Sequence, residues 1–196
     1  MKIQPGELVV EVGAGDGRLT VELLRAGARV IAVENDPRLV RRIAERFRTD
    51  PRVTVVGVDI RHFCWPRVPH RVVGNPPFGL TTWLLRELLG APWRPLTGAD
   101  LVVQRGLAVK RTRSAGHALN LGWQPWWELS VVVAVPRTAF IPAPAVDAAL
   151  LAIRRRDPPA LPAQEATRFA AYVQREHRRA VGRGRPLAWW LRRYRR

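Results

Sequence analysis

The chain has 196 residues, 47% of them hydrophobic, and carries 33 Lys plus Arg against 16 Asp plus Glu, a net charge of +17. That length suits one ordinary domain with a small appendage. The apolar content excludes a disordered chain, and a single cysteine, Cys64, excludes an intrachain disulfide or a cysteine-based zinc cluster. No apolar run approaches the ~20 residues that span a bilayer, and the first six residues hold no secretory apolar core. A cytoplasmic protein with an acidic partner, no membrane association and no metal site is therefore expected.

Up to about residue 153, short apolar runs alternate with amphipathic stretches. Residues 8–12 read as a strand ending in a Gly-rich turn, 19–26 as a helix, 30–33 as a strand and 37–47 as a helix. Pro37 suits the first turn of that helix, where its missing N–H costs nothing. Further strands are expected at 53–58, 71–74 and 100–103, with a helix at 81–89 capped by Thr81. The alternation predicts an α/β domain with a parallel sheet. Residues 129–135 and 146–153 are β-rich with no helix between them, and predict an antiparallel pair closing the sheet. Composition shifts near Arg154-Arg155-Arg156-Asp157-Pro158-Pro159: residues 154–196 carry a net +10 and residues 1–153 a net +7. Two domains are expected, 1–156 and 157–196. The second is helical over 163–181 and 187–194 and too small to hold a core alone.

Chemistry concentrates at the ends of the expected strands. Glu11-Val12-Gly13-Ala14-Gly15-Asp16-Gly17 follows a strand and opens a helix. Gly13, Gly15 and Gly17 let the backbone turn tightly and approach a ligand. Their spacing differs from the G-x-G-x-x-G of dinucleotide sites. The acid before the first glycine is awkward for pyrophosphate but suits the cationic amino group of a ligand such as S-adenosylmethionine. Glu34 ends the second strand, where an acid accepts ribose hydroxyls. Asp59 and Ile60 close the third, where a carboxylate can accept from an adenine amine. Gly74-Asn75-Pro76-Pro77-Phe78 follows the fourth. Its prolines withdraw N–H donors and leave carbonyls free; the Asn75 oxygen and the Pro76 carbonyl can take both hydrogens of one amino group, and Phe78 offers a face for a base. That is the equipment for methylating an adenine amine by positioning and electrostatics.

These residues resemble the rRNA adenine-N6 dimethyltransferase family, which includes the KsgA-type 16S rRNA enzymes and the erythromycin-resistance (Erm) 23S rRNA enzymes. The resemblance implies a Rossmann-like methyltransferase fold with S-adenosylmethionine and a small C-terminal helical domain. Glu11 to Thr20 is similar to the family's glycine motif, and Glu34 and Asp59 to its ribose- and adenine-binding acids. Asn75-Pro76-Pro77-Phe78 is similar to its catalytic Asn-x-Pro-Tyr/Phe. Phe140-Ile141-Pro142-Ala143-Pro144-Ala145-Val146 resembles its late F-x-P-x-P-x-V motif. The Erm branch fits better, through Trp123-Gln124-Pro125-Trp126-Trp127-Glu128 and the basic Ala108-Val109-Lys110-Arg111. Two departures stand out: the Gln/His-x-Phe-Leu segment upstream of the glycine loop has no counterpart in this sequence, and Gly106 replaces a usual Glu.

The resemblance implies an adenine in structured rRNA as substrate, 23S favoured, flipped or already unpaired so that its amine reaches the methyl. Phe78 would stack on it. Lys110, Arg111, Arg113, Arg178, Arg179, Arg183 and Arg185 are the candidates for holding phosphates, and a monomer is expected. Three readings stay open: an Erm-like enzyme conferring macrolide, lincosamide and streptogramin B resistance, a KsgA-like maturation enzyme, and a non-catalytic RNA-binding homologue.

Overall fold

The computed structural model describes residues 2–113, 117–179 and 184–195. The chain packs as two compact units: the described residues up to Phe78 with Pro95–Val102, and Gly79–Arg94 with the described residues from Val103 onward. This division by packing runs differently from the change in composition near Arg156.

The first unit is a parallel sheet with helices. It holds β1 (Leu8–Val12), α1 (Arg18–Arg25), β2 (Arg29–Glu34), α2 (Pro37–Arg46), β3 (Val53–Gly57), β4 (His70–Gly74) and most of β5 (Leu96–Gln104). The strands lie in the order β3-β2-β1-β4-β5, each pair parallel. This is the parallel α/β sheet that the strand–helix alternation predicts, in the Rossmann-like arrangement that the family resemblance implies. Central strands rich in Val are buried on both faces, as a covered parallel sheet requires. Val9, Val30, Ala32 and Val73 share one core with Leu23 and Leu24 of α1 and Ile43 of α2. Asp36 caps α2 by accepting from the Arg38 N–H, with Pro37 in the first turn. On β4, Arg71 donates to Glu7 at 2.7 Å and to the buried Asp100 at 3.4 Å.

Register decides where the strands end. Val12 pairs with Val33 on one side and Gly74 on the other, while Glu34 pairs with Gly57. The carboxyl ends of β1, β2, β3 and β4 therefore lie in one row, the edge where open α/β sheets bind ligands. A Cβ on Gly74 would sit 2.3 Å from the Val12 carbonyl oxygen, so only glycine lets β4 run this close to β1.

The second unit holds α3 (Thr81–Leu89), α4 (Arg105–Thr112), α5 (Ala118–Trp123), β6 (Trp127–Val135), β7 (Ala148–Arg155), α6 (Ala166–Arg178) and α7 (Leu187–Tyr194). β6 and β7 are antiparallel, from Trp127 opposite Arg155 to Val135 opposite Ala148, with a register shift between Val131 and Val133. Trp126 and Trp127 are both buried, and their indole N–H groups donate to Leu161 O (2.8 Å) and Leu89 O (3.2 Å). Phe169 packs edge-on to Trp126 and Tyr194, and Tyr172 edge-on to Trp190, which joins α6 and α7 through aromatic contacts. No helix among the described residues is long and apolar enough to cross a membrane.

Several expected boundaries move. β5 starts at Leu96 rather than at residue 100, because Leu96 and Ala99 are buried on either side of a glycine. Thr81 is the first residue of α3, not its cap; Leu80 holds the cap position and the Thr81 hydroxyl is buried without a partner. α4 and α5 were not expected: Gly106 and the short runs around it hide helices that tertiary packing sustains. The helix expected over 163–181 begins as a 3-10 turn at Ala163–Glu165 and continues as α6.

Replacing Gly74 with Ala should lower stability by about 2 kcal/mol or more. Urea or thermal melts measure this, and an unchanged midpoint would mean that β1 and β4 part without cost.

Candidate active site

The glycine loop is laced to the end of β2. Gly13, Gly15 and Gly17 all take positive φ, at 72°, 59° and 79°. The N–H groups of Gly13 and Ala14 donate to the Val33 carbonyl at 2.9 and 3.2 Å. The Gly15 N–H donates to Glu34 Oε2 at 2.9 Å. Glu34 Oε1 accepts from the N–H groups of Asn35 (2.8 Å) and Asp36 (3.0 Å). A carboxylate offers about four lone-pair directions; three are used, and one on Oε2 remains for a ligand hydroxyl.

Glu11 sits inside, on β1, 1% exposed, and accepts the Thr20 hydroxyl at 2.6 Å. Burial pushes its carboxyl up to about 7, against the smaller lowering effect of the Thr20 hydrogen bonds. A buried acid with this behaviour is poised to ionise against an incoming cation.

Asp59 and Ile60 follow β3. Asp59 caps a 3-10 turn, Ile60–His62, and Ile60 is buried. Both Asp59 oxygens are engaged by Arg61, whose backbone N–H lies at 2.8 Å and whose Nη2 lies at 2.7 Å. This pairing holds the Asp59 carboxyl down at about 2. The sequence reading missed Arg61. It lies two residues from Asp59, but nothing in the spacing shows that its guanidinium folds back onto the same carboxylate.

Asn75 follows the close approach at Gly74. A Cβ built on Gly13 lies 3.6 Å from the Asn75 carbonyl oxygen, so this turn and the glycine loop are neighbours. Pro76 is buried, Asn75 and Pro77 are exposed, and Phe78 is half-buried at the start of a 3-10 turn, Phe78–Leu80. The Asn75 side-chain amide makes no hydrogen bond among the described residues. One edge of the first unit thus brings together Glu11, the three glycines, Glu34, Asp59, Ile60 and the Asn75–Phe78 turn. The donor set fits a cationic nucleoside cofactor: one deep acid, one acid with a spare acceptor site and a glycine loop with open space beside Gly15.

The basic residues expected to hold phosphates fall in the second unit. Lys110 and Arg111 end α4 and Arg113 follows it; Lys110 and Arg113 are exposed and Arg111 is half-buried. Asn120 ties this end down, donating to Lys110 O (2.7 Å) and Arg113 O (2.9 Å). Arg178, Arg179 and Arg185 are exposed; Arg183 lies outside the described residues. A feature missed in the sequence is Glu176, buried, with Arg175, Arg179 and Arg193 at 3.1, 3.8 and 3.9 Å. Part of the basic charge of α6 and α7 is therefore tied internally rather than offered outward.

Glu11 gives a test by sign. Its folded pKa lies above its unfolded value of 4.5, so the native state holds the proton longer. Its cost is absent below pH 4.5, grows as pH rises and is complete above about 7, where it amounts to ~3 kcal/mol. Glu11→Gln keeps an acceptor for Thr20 without that titration. It should be more stable than the parent at pH 8 and equal to it at pH 4 in urea melts, while losing affinity for a cationic ligand.

Comparison with known proteins adds to this geometry. A family model described as ribosomal RNA adenine dimethylase matches residues 1–179. The mycinamicin-resistance protein MyrB of Micromonospora griseorubida is 43% identical over 155 residues, 78% of this chain and 48% of that protein. An rRNA adenine N-6-methyltransferase of Corynebacterium diphtheriae is 37% identical over 187 residues, 94% of this chain and 71% of that protein. The chain thus spans about half the length of the first relative and 71% of the second. A crystal structure of the 23S rRNA methyltransferase ErmE superposes with a TM-score of 0.79 at 34% identity, covering 88% of this chain and 71% of that one. With its glycine loop, strand-end acids and Asn-Pro-Pro-Phe turn on the matched fold, the chain belongs to the ribosomal RNA adenine dimethylase family.

Proposed function

We propose that the protein methylates N6 of an adenine in 23S rRNA with S-adenosylmethionine, and thereby confers macrolide, lincosamide and streptogramin B resistance. The observation that carries the reading is the exposed, unpartnered Asn75 amide, held beside the glycine loop by the Val12–Gly74 approach. The 23S assignment draws support from the likeness to ErmE and to a mycinamicin-resistance protein.

The cofactor supplies an electrophilic methyl on a sulfonium. Glu34 offers its spare Oε2 lone pair to a ribose hydroxyl, and Glu11 answers the cationic end. Asn75 Oδ1 and the Pro76 carbonyl accept the two hydrogens of the adenine amine and turn its lone pair out of the ring plane. Phe78 stacks on the flipped base. So held, the amine nitrogen would face the methyl in line; as it took the methyl from the sulfonium, leaving a thioether, its surplus proton would pass to water. No strong base is needed, because positioning and aligned acceptors do the work.

Radiolabelled methyl transfer to deproteinised 23S and 16S rRNA tests this. Label is expected at an adenine of 23S, and Asn75→Ala should lose 100-fold or more of the rate, on the order of what a lost transition-state acceptor costs. Label in 16S alone would overturn the 23S assignment, and no label in either would overturn the enzyme reading.

A further inference from the structure

We propose that the concavity beside Arg111 is a phosphate subsite that takes one backbone phosphodiester of the bound RNA. The proposal deepens the RNA-methylation reading and rests on it only for the identity of the nucleic acid.

The second unit contains a cavity of about 450 Å³, within the size range of ligand sites. Arg111, Arg154 and Arg156 line it, with Asn120, Gln124 and Ser130 among its polar groups. One carboxylate shares the lining: Glu128, largely exposed, which Arg156 engages at 2.7 Å. Arg156 also donates to Gln124 O at 2.7 Å, and Arg154 to Ile153 O at 2.9 Å. Those two guanidiniums are anchored to the protein.

Arg111 differs. Its Nη1 donates to Asn120 Oδ1 at 3.2 Å, a neutral acceptor. Its Nε–H is buried and has no acceptor. No carboxylate among the described residues lies within ion-pair distance of it. Burial, and then the like charge of Arg86, push its pKa down. A half-buried cation with an orphaned donor and a cationic neighbour is costly, since buried charges are otherwise paired. Asn120 holds the guanidinium while tying down the end of α4, so the group is fixed before any ligand arrives. An anion would balance this charge. A phosphodiester supplies the charge and the planar pair of oxygens that a guanidinium fork matches. The exposed Arg178 and Arg179 have neither a buried orphaned donor nor a neutral side chain fixing the guanidinium, and are expected to act only through the general field.

Binding of a 23S rRNA fragment without cofactor, followed by fluorescence anisotropy across salt concentrations, tests the subsite. Arg111→Gln should weaken binding ~10-fold near physiological salt and reduce the slope of log K against log salt by ~0.7–0.9, one phosphate contact. Arg111→Lys should restore the slope but only part of the affinity, because charge returns without the fork. Ser130→Glu puts an acid in the lining from an exposed position on β6, and should weaken binding by at least as much. Unchanged affinity and slope in both Arg111→Gln and Ser130→Glu would overturn the proposal. Methyl transfer is scored separately: wild-type protein that binds through Arg111 but transfers no label would sink the methylation reading and leave the subsite standing.

Discussion

Everything at the site hangs on the carboxylate of Glu34. It closes β2, takes the Gly15 N–H on one oxygen and two successive backbone N–H groups on the other. A glycine loop with three positive φ angles has no side chains to define its path. Its shape comes from what its N–H groups find, and those partners are Glu34 and the Val33 carbonyl. The same carboxylate is the acid that the family resemblance gives to the ribose. On the proposed reading, structural and binding duties would meet on one group, with the unused lone pair of Oε2 left for the ligand.

Around that point, charge is sorted by depth. Glu11 lies deepest, on a strand buried on both faces, and its high pKa follows from that burial. Asp59 lies nearer the surface, where Arg61 claims it and keeps it ionised. Two acids on the same edge thus reach opposite protonation behaviour, one through desolvation and one through a guanidinium. The cations show a similar division. Arg175, Arg179 and Arg193 gather on a buried Glu176, whereas Arg111 has no such partner among the described residues.

The parallel sheet was legible because Val-rich runs of strand length alternate with amphipathic runs, and the runs end at glycines, acids or an Asn-Pro-Pro-Phe turn. Gly13, Glu34, Asp59 and Asn75 each follow an apolar run, and the sheet register brings these run ends into one row. α4 and α5 were not legible, because their helicity depends on packing and on Asn120 bonding across to α4, and neither leaves a periodic mark. Trp126 and Trp127, which entered the sequence reading only through the family resemblance, are both in the core, each with its indole N–H satisfied by a carbonyl distant in sequence.

The sequence by itself determined the chemistry on offer: which strand ends carry acids, that glycines precede a helix, that an Asn-Pro-Pro-Phe turn follows the fourth strand, and that the net charge is +17. These are local properties, readable from residue type and spacing. Only the tertiary structure decided which groups are already spent. Arg61 on Asp59, Thr20 on Glu11, three N–H groups on Glu34 and three arginines on Glu176 are pairings fixed by where the fold places each partner. Charge is a property of composition, but free charge is what remains after the fold has made its pairs, and that remainder is what a ligand meets.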